Sequence, residues 1–233
     1  PVVGREAATR ALARLGATKL ETRSAPVLYP ARLARGLIGH LVGALSGGAL
    51  YRRASFLLDS LGTQVMAGHV SIDERPHLPK ALASAPYDDE GVATADRRLV
   101  DAGVVRGYVL GSYSARKLGM ASTGNAGGTH NLLVSSSAGA PGFAELVAEL
   151  GTGFLVTELM GSGVNPVTGD YSRGAAGFWV EGGVVRFPVS EVTIAGNLRD
   201  IYRDIIAVGG DVDLRGGIRS GSILVREMTI AGS

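Results

Sequence analysis

A β-hairpin predicted for residues 175–189, AAGFWVEGGVVRFPV, is the feature that most constrains the fold. Glu181-Gly182-Gly183 supplies the turn, because tight hairpin turns need residues that tolerate positive φ values. Phe178 and Val180 alternate with Trp179, which predicts one buried face and one half-covered face. The chain after Phe154 is therefore expected to form mainly antiparallel sheet.

Further strands are predicted on both sides of this hairpin, over residues 154–160, 192–195 and 223–230. The phrases EVTIAG (residues 191–196) and EMTIAG (residues 227–232) are near copies of each other. Two copies are too few for a solenoid. We expect them to be paired strands that occupy similar places in one sheet.

The remaining sequence mixes short strands with helices. Apolar spacing and glycine stops predict helices over residues 5–15, 31–48, 141–150 and 198–209, the last capped by Asn197. Strands are predicted over residues 26–29 (an edge strand), 64–72, 98–110 (with a turn at 101–103) and 131–135. Residues 111–128 are predicted to be a surface loop.

The resulting fold class is α+β, dominated by antiparallel sheet that is able to curl into a barrel, with a few packed helices. Residues 1–233 are treated as one region, with a division near residue 110 left open. Because the chain opens on Pro1 instead of methionine, we expect a fragment or a processed product.

Composition excludes several classes of function. The 23 basic and 21 acidic residues give a net charge of +2, which does not favour direct nucleic-acid binding. The absence of cysteine excludes disulfides, thiolate nucleophiles and cysteine metal ligands. The longest apolar run, near residues 37–50, is too short to span a bilayer. We therefore expect a cytoplasmic protein with no membrane partner.

The predicted helix over residues 31–48 carries the most suggestive histidine. His40 shares the apolar face of this helix with Leu37 and Leu41. A helical histidine becomes a metal ligand when a second ligand lies one turn away, with a carboxylate beside it. Arg35 and Gly36 lie one turn before His40, and neither side chain can bind a metal.

Other catalytic patterns are absent or weak. The sequence lacks the Gly-x-Ser-x-Gly, Gly-x-Gly-x-x-Gly and His-Glu-x-x-His motifs. The acidic turn over residues 87–94 is predicted to be a solvated loop in preference to a cation site. An enzyme that uses isolated carboxylates stays as a third hypothesis; these acids lie beside glycines and include Glu158, Asp170, Asp211 and Asp213.

Several long phrases resemble one family. They are GLIGHLVGALSGG with FLLDSLG, SYSARKLG with STGNAGGTHN, and GTGFLVTELMGSGVNPVTGDYSRGAAGFWVEGG with PVSEVTIAGNL. Together they resemble the TldD/PmbA family, and within it the PmbA (TldE) branch, from about Arg5 to Gly232. The resemblance corresponds to the central and C-terminal part of such proteins, and implies that their N-terminal α/β domain is absent from this chain.

The resemblance implies one half of a two-protein metallopeptidase. In that family the TldD subunit binds zinc through a His-Glu-x-x-x-His helix and a cysteine near its C-terminus. Aligned on Gly39-His40, this chain keeps only the second histidine, His40. Arg35 replaces the first histidine, and Gly36 replaces the glutamate. The resemblance therefore implies no catalytic residue and no bound metal here, with zinc only on the TldD-like partner.

The implied partners are a TldD-like metallopeptidase subunit and extended or unfolded peptides, in proteolysis and peptide maturation. Asp170, Tyr171 and Arg173 in the GDYSRG segment are candidates for facing the peptide, although a tight structural turn is the competing interpretation. A homodimer of the isolated chain stays open. The alternative function is a stand-alone peptide- or protein-binding module, since an older family name is modulator of DNA gyrase.

Overall fold

The structure, a computed structural model, describes residues 2–232, so Pro1 and Ser233 at the ends of the predicted region lie outside it. The helices are α1 (Val2–Leu12), α2 (Ala31–Ala44), α3 (Gly47–Tyr51), α4 (Ser112–Leu118), α5 (Phe143–Leu150) and α6 (Leu198–Arg203). The strands are β1 (Arg23–Tyr29), β2 (Val70–Glu74), β3 (Arg97–Asp101), β4 (Val104–Val105), β5 (Leu132–Ser136), β6 (Gly153–Met160), β7 (Asp170–Glu181), β8 (Val184–Asn197), β9 (Ile205–Val208), β10 (Ile218–Arg219) and β11 (Ile223–Ala231).

Five of these strands close into a barrel. Their order is β1-β6-β7-β8-β11, and β11 pairs again with β1, while β9 adds to β11 as a sixth strand. Every neighbouring pair is antiparallel except β1 with β6. The predicted α+β class with a dominant antiparallel, barrel-like sheet is confirmed.

The hairpin between β7 and β8 has the predicted turn. Gly182 and Gly183 have φ values of +59° and +73°, as a two-residue hairpin turn requires. Trp179 packs into the main core, and Val180 packs into a smaller cluster with Leu146 of α5. Because α5 covers the outer face of the barrel here, both faces of the hairpin are buried at this point.

The two copies of the repeated phrase are paired strands, as predicted. Ile194 of β8 lies opposite Ile230 of β11 in antiparallel register. These residues occupy equivalent positions in the two phrases, so the strands are related by a local two-fold axis through this pair. Both isoleucines are fully buried in the main core.

The other strands form a second sheet in the order β10-β5-β2-β3-β4. The predicted strand, turn and returning strand over residues 98–110 correspond to β3 and β4, and the strand predicted at 131–135 corresponds to β5. The strand predicted over residues 64–72 begins later, at Val70. The main hydrophobic core takes side chains from both sheets, including Ile72 and Ile194.

Helix α2 covers the core through a buried face that includes Ala34, Leu37, Ile38 and Leu41. It ends at Ala44, not at residue 48 as predicted. The side chain of Ser46 accepts a 3.4 Å hydrogen bond from the backbone N–H of Ala49 and so begins a new helix, α3. The single predicted helix is therefore two helices.

An edge strand was predicted over residues 26–29 because of Pro26. Strand β1, which contains these residues, is not an edge strand. It pairs with β11 on one side and with β6 on the other. Pro26 falls where the register with β11 shifts, between Ala25 and Val27. A bulge removes the need for a ladder N–H at that position, so proline is tolerated inside the barrel.

Two further sequence predictions are wrong. The predicted loop over residues 111–128 contains α4, whose first N–H group, on Ser112, donates a 2.7 Å hydrogen bond to Glu90. The helix predicted over residues 198–209 ends at Arg203, and β9 follows because Ile205 and Val208 pair with β11. Sheet pairing outweighs helical spacing at these positions.

A helix was predicted over residues 5–15, and α1 both begins and ends about three residues earlier than that. None of its residues is buried. The strongly apolar α2 is only 14 residues long. Within residues 2–232, no helix combines the length and apolarity needed to cross a bilayer.

Candidate functional site

Arg35 and His40, which align with the two histidines of the family's metal-binding motif, lie on different sides of α2. Residues five positions apart on a helix are separated by about 140° around its axis. Arg35 is exposed, and its Nη1 atom lies 3.4 Å from the position that a Cβ of Gly216 would occupy. Hydrogen bonds from the side chain and the backbone N–H of Arg215 hold the pKa of Asp213 at about 2, with a smaller contribution from the charge of Arg35. Arg35 therefore extends toward the segment between β9 and β10.

His40 is half-buried and faces the barrel. Its ring meets that of Tyr171 edge to face, with the centroids 6.1 Å apart and the planes at 74°. Burial lowers the pKa of His40, and the charge of Arg173 lowers it further. Because the ordinary pKa of histidine is already about 6.5, His40 is neutral at pH 7.

Tyr171 and Arg173 reach His40 from strand β7. Residues two apart on a strand share one face, so both leave β7 on the side of the core. Tyr171 is fully buried next to Tyr29, whose hydroxyl donates a 3.2 Å hydrogen bond to Sδ of Met228. Burial raises the pKa of Tyr171, against the opposing effects of a hydrogen bond with Tyr29 and of the charge of Arg173.

Arg173 brings an unpaired positive charge to this cluster. Its Nε atom is shielded from solvent, and no atom of residues 2–232 forms a hydrogen bond with it. None of the salt bridges in this range involves Arg173. The cluster of His40, Tyr171 and Arg173, which we call the His40 cluster, is therefore cationic.

Asp170 does not join the His40 cluster, although it is next to Tyr171 in sequence. Its carboxylate accepts hydrogen bonds from Thr168 Oγ1 at 2.6 Å and from Asn197 Nδ2 at 3.2 Å. It therefore stabilises the exposed turn before β7. The peptide-facing role of Asp170, Tyr171 and Arg173 stays a prediction, but only the last two lie beside the degenerate metal helix.

The residues around His40 do not fit a zinc ion. A catalytic zinc site needs about three histidine, cysteine or carboxylate ligands and a base for its water. Residues 2–232 contain no group of three or more such side chains that could hold a metal. The guanidinium of Arg173 has no lone pair for a metal, and its charge repels a cation.

A second polar cluster, centred on Glu74, was missed from the sequence. The carboxylate of Glu74 is almost wholly buried and accepts hydrogen bonds from Arg97 Nε at 2.6 Å and from Asn125 Nδ2 at 2.7 Å. It also accepts one from the backbone N–H of His130 at 2.7 Å, and the ring Nδ1 of His130 lies 3.1 Å away. Glu74 is 56 positions away from His130 in sequence, so no local spacing reveals this pair.

The isolated acidic residues have structural partners. Asp88 in the acidic turn accepts backbone hydrogen bonds from Glu90, Val92 and Ala126, each 2.9 Å long. Asp211 accepts hydrogen bonds from the backbone N–H and the hydroxyl of Ser222, at 2.8 and 2.6 Å. These hydrogen bonds stabilise the local turns, and Asp88 is buried although a solvated loop was predicted for this turn.

Comparison with known proteins gives consistent results. Residues 22–232 match the family model described as the PmbA/TldA metallopeptidase C-terminal domain. The metalloprotease PmbA of Escherichia coli O157:H7 is 53% identical over 230 residues, which cover 99% of this chain and 51% of that protein. The chain thus spans about half the length of the curated relatives it matches.

Solved structures show the same fold. A candidate modulator of DNA gyrase from Bacteroides thetaiotaomicron superposes with a TM-score of 0.94 at 31% identity, covering 99% of this chain and 52% of that one. TldE from Thermococcus kodakarensis superposes with a TM-score of 0.84 at 24% identity, covering 98% and 55% of the two chains. At that identity the second match supports the fold alone. This chain belongs to the PmbA branch of the TldD/PmbA metallopeptidase family and corresponds to its C-terminal region.

Proposed function

We propose that this chain is the non-catalytic subunit of a heteromeric TldD/PmbA-type metallopeptidase. The observation that carries this proposal is the environment of His40. The ring packs on Tyr171 beside the cation of Arg173, where a peptidase helix would need further ligands and a base. The name of the Escherichia coli relative, a metalloprotease, supports a connection with peptide hydrolysis.

In this proposal the partner is a TldD-like subunit that supplies the zinc and the catalytic base. The present chain supplies assembly surface and one wall of the peptide chamber, and binds no cofactor of its own. The substrates are extended or unfolded peptides, whose backbones are able to add to exposed strand edges. Proteolysis and peptide maturation in the cytoplasm are the processes in which such a complex acts.

The test measures metal and activity separately. The purified chain is analysed for zinc and assayed with an unstructured fluorogenic peptide, alone and after mixing with a TldD-like protein. We expect no stoichiometric zinc and no cleavage by the chain alone, and cleavage in the mixture that a chelator abolishes. Zinc-dependent cleavage by the chain alone would overturn the proposal. The full-length Escherichia coli relative, run in parallel, controls for assembly.

The second candidate is a stand-alone protein-binding module that acts without a peptidase partner. The description of the Bacteroides thetaiotaomicron structure as a candidate gyrase modulator favours it. Size-exclusion chromatography with the TldD-like protein separates the two functions. A stable heteromer supports the peptidase subunit, whereas failure of both this chain and the full-length relative to form one supports the binding module.

A further inference from the structure

Arg173 occupies an unusual place for a charged side chain. It lies opposite Ile194 in the β7–β8 pairing and shares a strand face with Tyr171, and both of these neighbours are buried. Its charge acts on the ring of His40 and on the hydroxyl groups of Tyr29 and Tyr171. The guanidinium therefore lies on the core side of the barrel wall, next to α2.

Within residues 2–232, no acidic side chain forms a salt bridge with this guanidinium. The Nε atom of Arg173 has no hydrogen-bond partner within residues 2–232, and the same holds for Nε of Arg219 on β10, a strand that packs against α2. Arg173 is half-buried, and a cation that is partly withdrawn from water without a counter-ion is stabilised when an anion is supplied. The unmet Nε–H of Arg173 indicates that an anion from outside the chain completes the site.

The chemistry of the His40 cluster selects the anion. A guanidinium presents parallel N–H groups that match the two oxygens of a carboxylate. The phenol of Tyr171 and the imidazole of His40 add hydrogen-bonding groups close by. His40 and Arg173 are both only half-buried, so a ligand reaches them from solvent.

We propose that His40, Tyr171 and Arg173 form a binding site for the C-terminal carboxylate of a peptide. A terminal carboxylate is the one anionic group that every unmodified peptide carries whatever its sequence, so one fixed cation is enough to orient many peptides. The choice of a peptide as ligand rests on the proposed function. The inference that the ligand carries a carboxylate depends only on the residues of the His40 cluster.

The test uses the 233-residue chain without metal or partner. The first probe is the acetylated nonapeptide GSAGSAGSA with a free C-terminus, the second is its C-terminal amide, and the third is an amide with glutamate at the central position. Binding is followed by NMR of the histidine rings, with the His40 signals assigned through His40→Gln. We expect the free acid to shift the His40 signals and to bind at least about tenfold more tightly than the amide, because one charge-assisted hydrogen bond is worth a factor of this order.

Substitutions of Arg173 test whether this residue binds the carboxylate of the peptide. Arg173→Gln should reduce the preference for the free acid about tenfold or more, and Arg173→Lys should retain part of it because the charge remains. Arg186→Gln, which removes an exposed arginine of β8, is the matched control and should leave the preference unchanged. Thermal melting verifies that each variant is folded. If Arg173→Gln unfolds the chain, the comparison of acid with amide on the unsubstituted protein decides.

Several results would overturn the proposal. Equal affinity for the acid and the neutral amide excludes a carboxylate site. Equal affinity for the acid and the glutamate-containing amide excludes a site specific for the terminus. A shift of the His40 signals on adding a TldD-like protein without peptide would assign the anion to that partner. The peptide experiment needs no partner protein. Failure to form a heteromer would therefore refute the proposed function without changing the measured preference for the free C-terminal carboxylate.

Discussion

Nε of Arg97 donates a 2.6 Å hydrogen bond to Oε2 of Glu74 and thereby connects β3 to β2 beneath the surface of the second sheet. The other carboxylate oxygen accepts hydrogen bonds from Asn125 and from the backbone of His130. The buried negative charge is thus fully paired and joins the sheet to the loop before β5. This arrangement stabilises the fold only while Glu74 is ionised.

Glu74→Gln should lower the free energy of unfolding by about 3 kcal/mol, since it leaves the mostly buried charge of Arg97 without its partner. Urea denaturation followed by circular dichroism measures the change. Glu227→Gln, at an exposed position of β11, is the control and should change stability by less than about 0.5 kcal/mol. A similar loss in both variants would show that the Glu74 cluster is not a special source of stability.

The same carboxylate makes stability sensitive to acid. Burial raises the pKa of Glu74, but the charge of Arg97 and the hydrogen bonds from His130, Arg97 and Asn125 outweigh it, so the folded pKa lies below the usual value. Its contribution is therefore complete above the unfolded pKa of about 4.3, and is lost as pH falls through the lower folded pKa. Denaturation series between pH 3 and pH 6 should show a shallower decline for Glu74→Gln than for the unsubstituted chain. Parallel curves would contradict this assignment.

Two glycine substitutions should change stability in opposite directions. A Cβ on Gly177 would overlap with the carbonyl oxygen of Leu155 on the neighbouring strand β6, so Gly177→Ala should cost about 2–3 kcal/mol. A Cβ on Gly36 meets no atom within 4 Å on the exposed side of α2, so Gly36→Ala should add about 0.5–1 kcal/mol through helix propensity. Thermal unfolding of both variants measures this contrast, and a destabilised Gly36→Ala would mean that α2 requires a glycine there.

The pKa of His40, measured by NMR titration of its ring, should lie below 6.5 and should rise in Arg173→Gln. Burial and the charge of Arg173, in that order, lower it. Since the folded pKa is lowered, His40 should also reduce stability as pH falls through the unfolded value of about 6.5, where the unfolded chain takes up the proton more readily. The control substitution Arg186→Gln should not change the pKa of His40. An unchanged pKa in Arg173→Gln would place the guanidinium farther from the ring.

Local patterns predicted those parts of the fold that local chemistry decides. The β7–β8 hairpin follows from two adjacent glycines between alternating apolar residues, and the pairing of β8 with β11 follows from their repeated phrase. The identity of β9 depends on a partner in another part of the chain. Ile205 and Val208 also fit the helical stripe of α6, and only their pairing with β11 makes them a strand.

The His40 cluster could be predicted only in pieces. Helical spacing placed His40 on a helix, whereas the family resemblance suggested Tyr171 and Arg173 in the GDYSRG segment. Their contact depends on how α2 is placed on the barrel, which no spacing in the sequence encodes. The Glu74 cluster could not be predicted at all, since its members come from β2, β3 and two loops.

Closure of the barrel through β1 and β11 has a consequence for biosynthesis. The N–H of Gly232 and the hydroxyl of Thr22 lie 3.2 Å apart, although 210 positions separate them in sequence. Because a ribosome makes a chain from the N-terminal side, β1 has no antiparallel partner until the whole segment between β1 and β11 has been made. During that interval the nascent chain presents unpaired strand edges, the kind of surface that chaperones protect from aggregation.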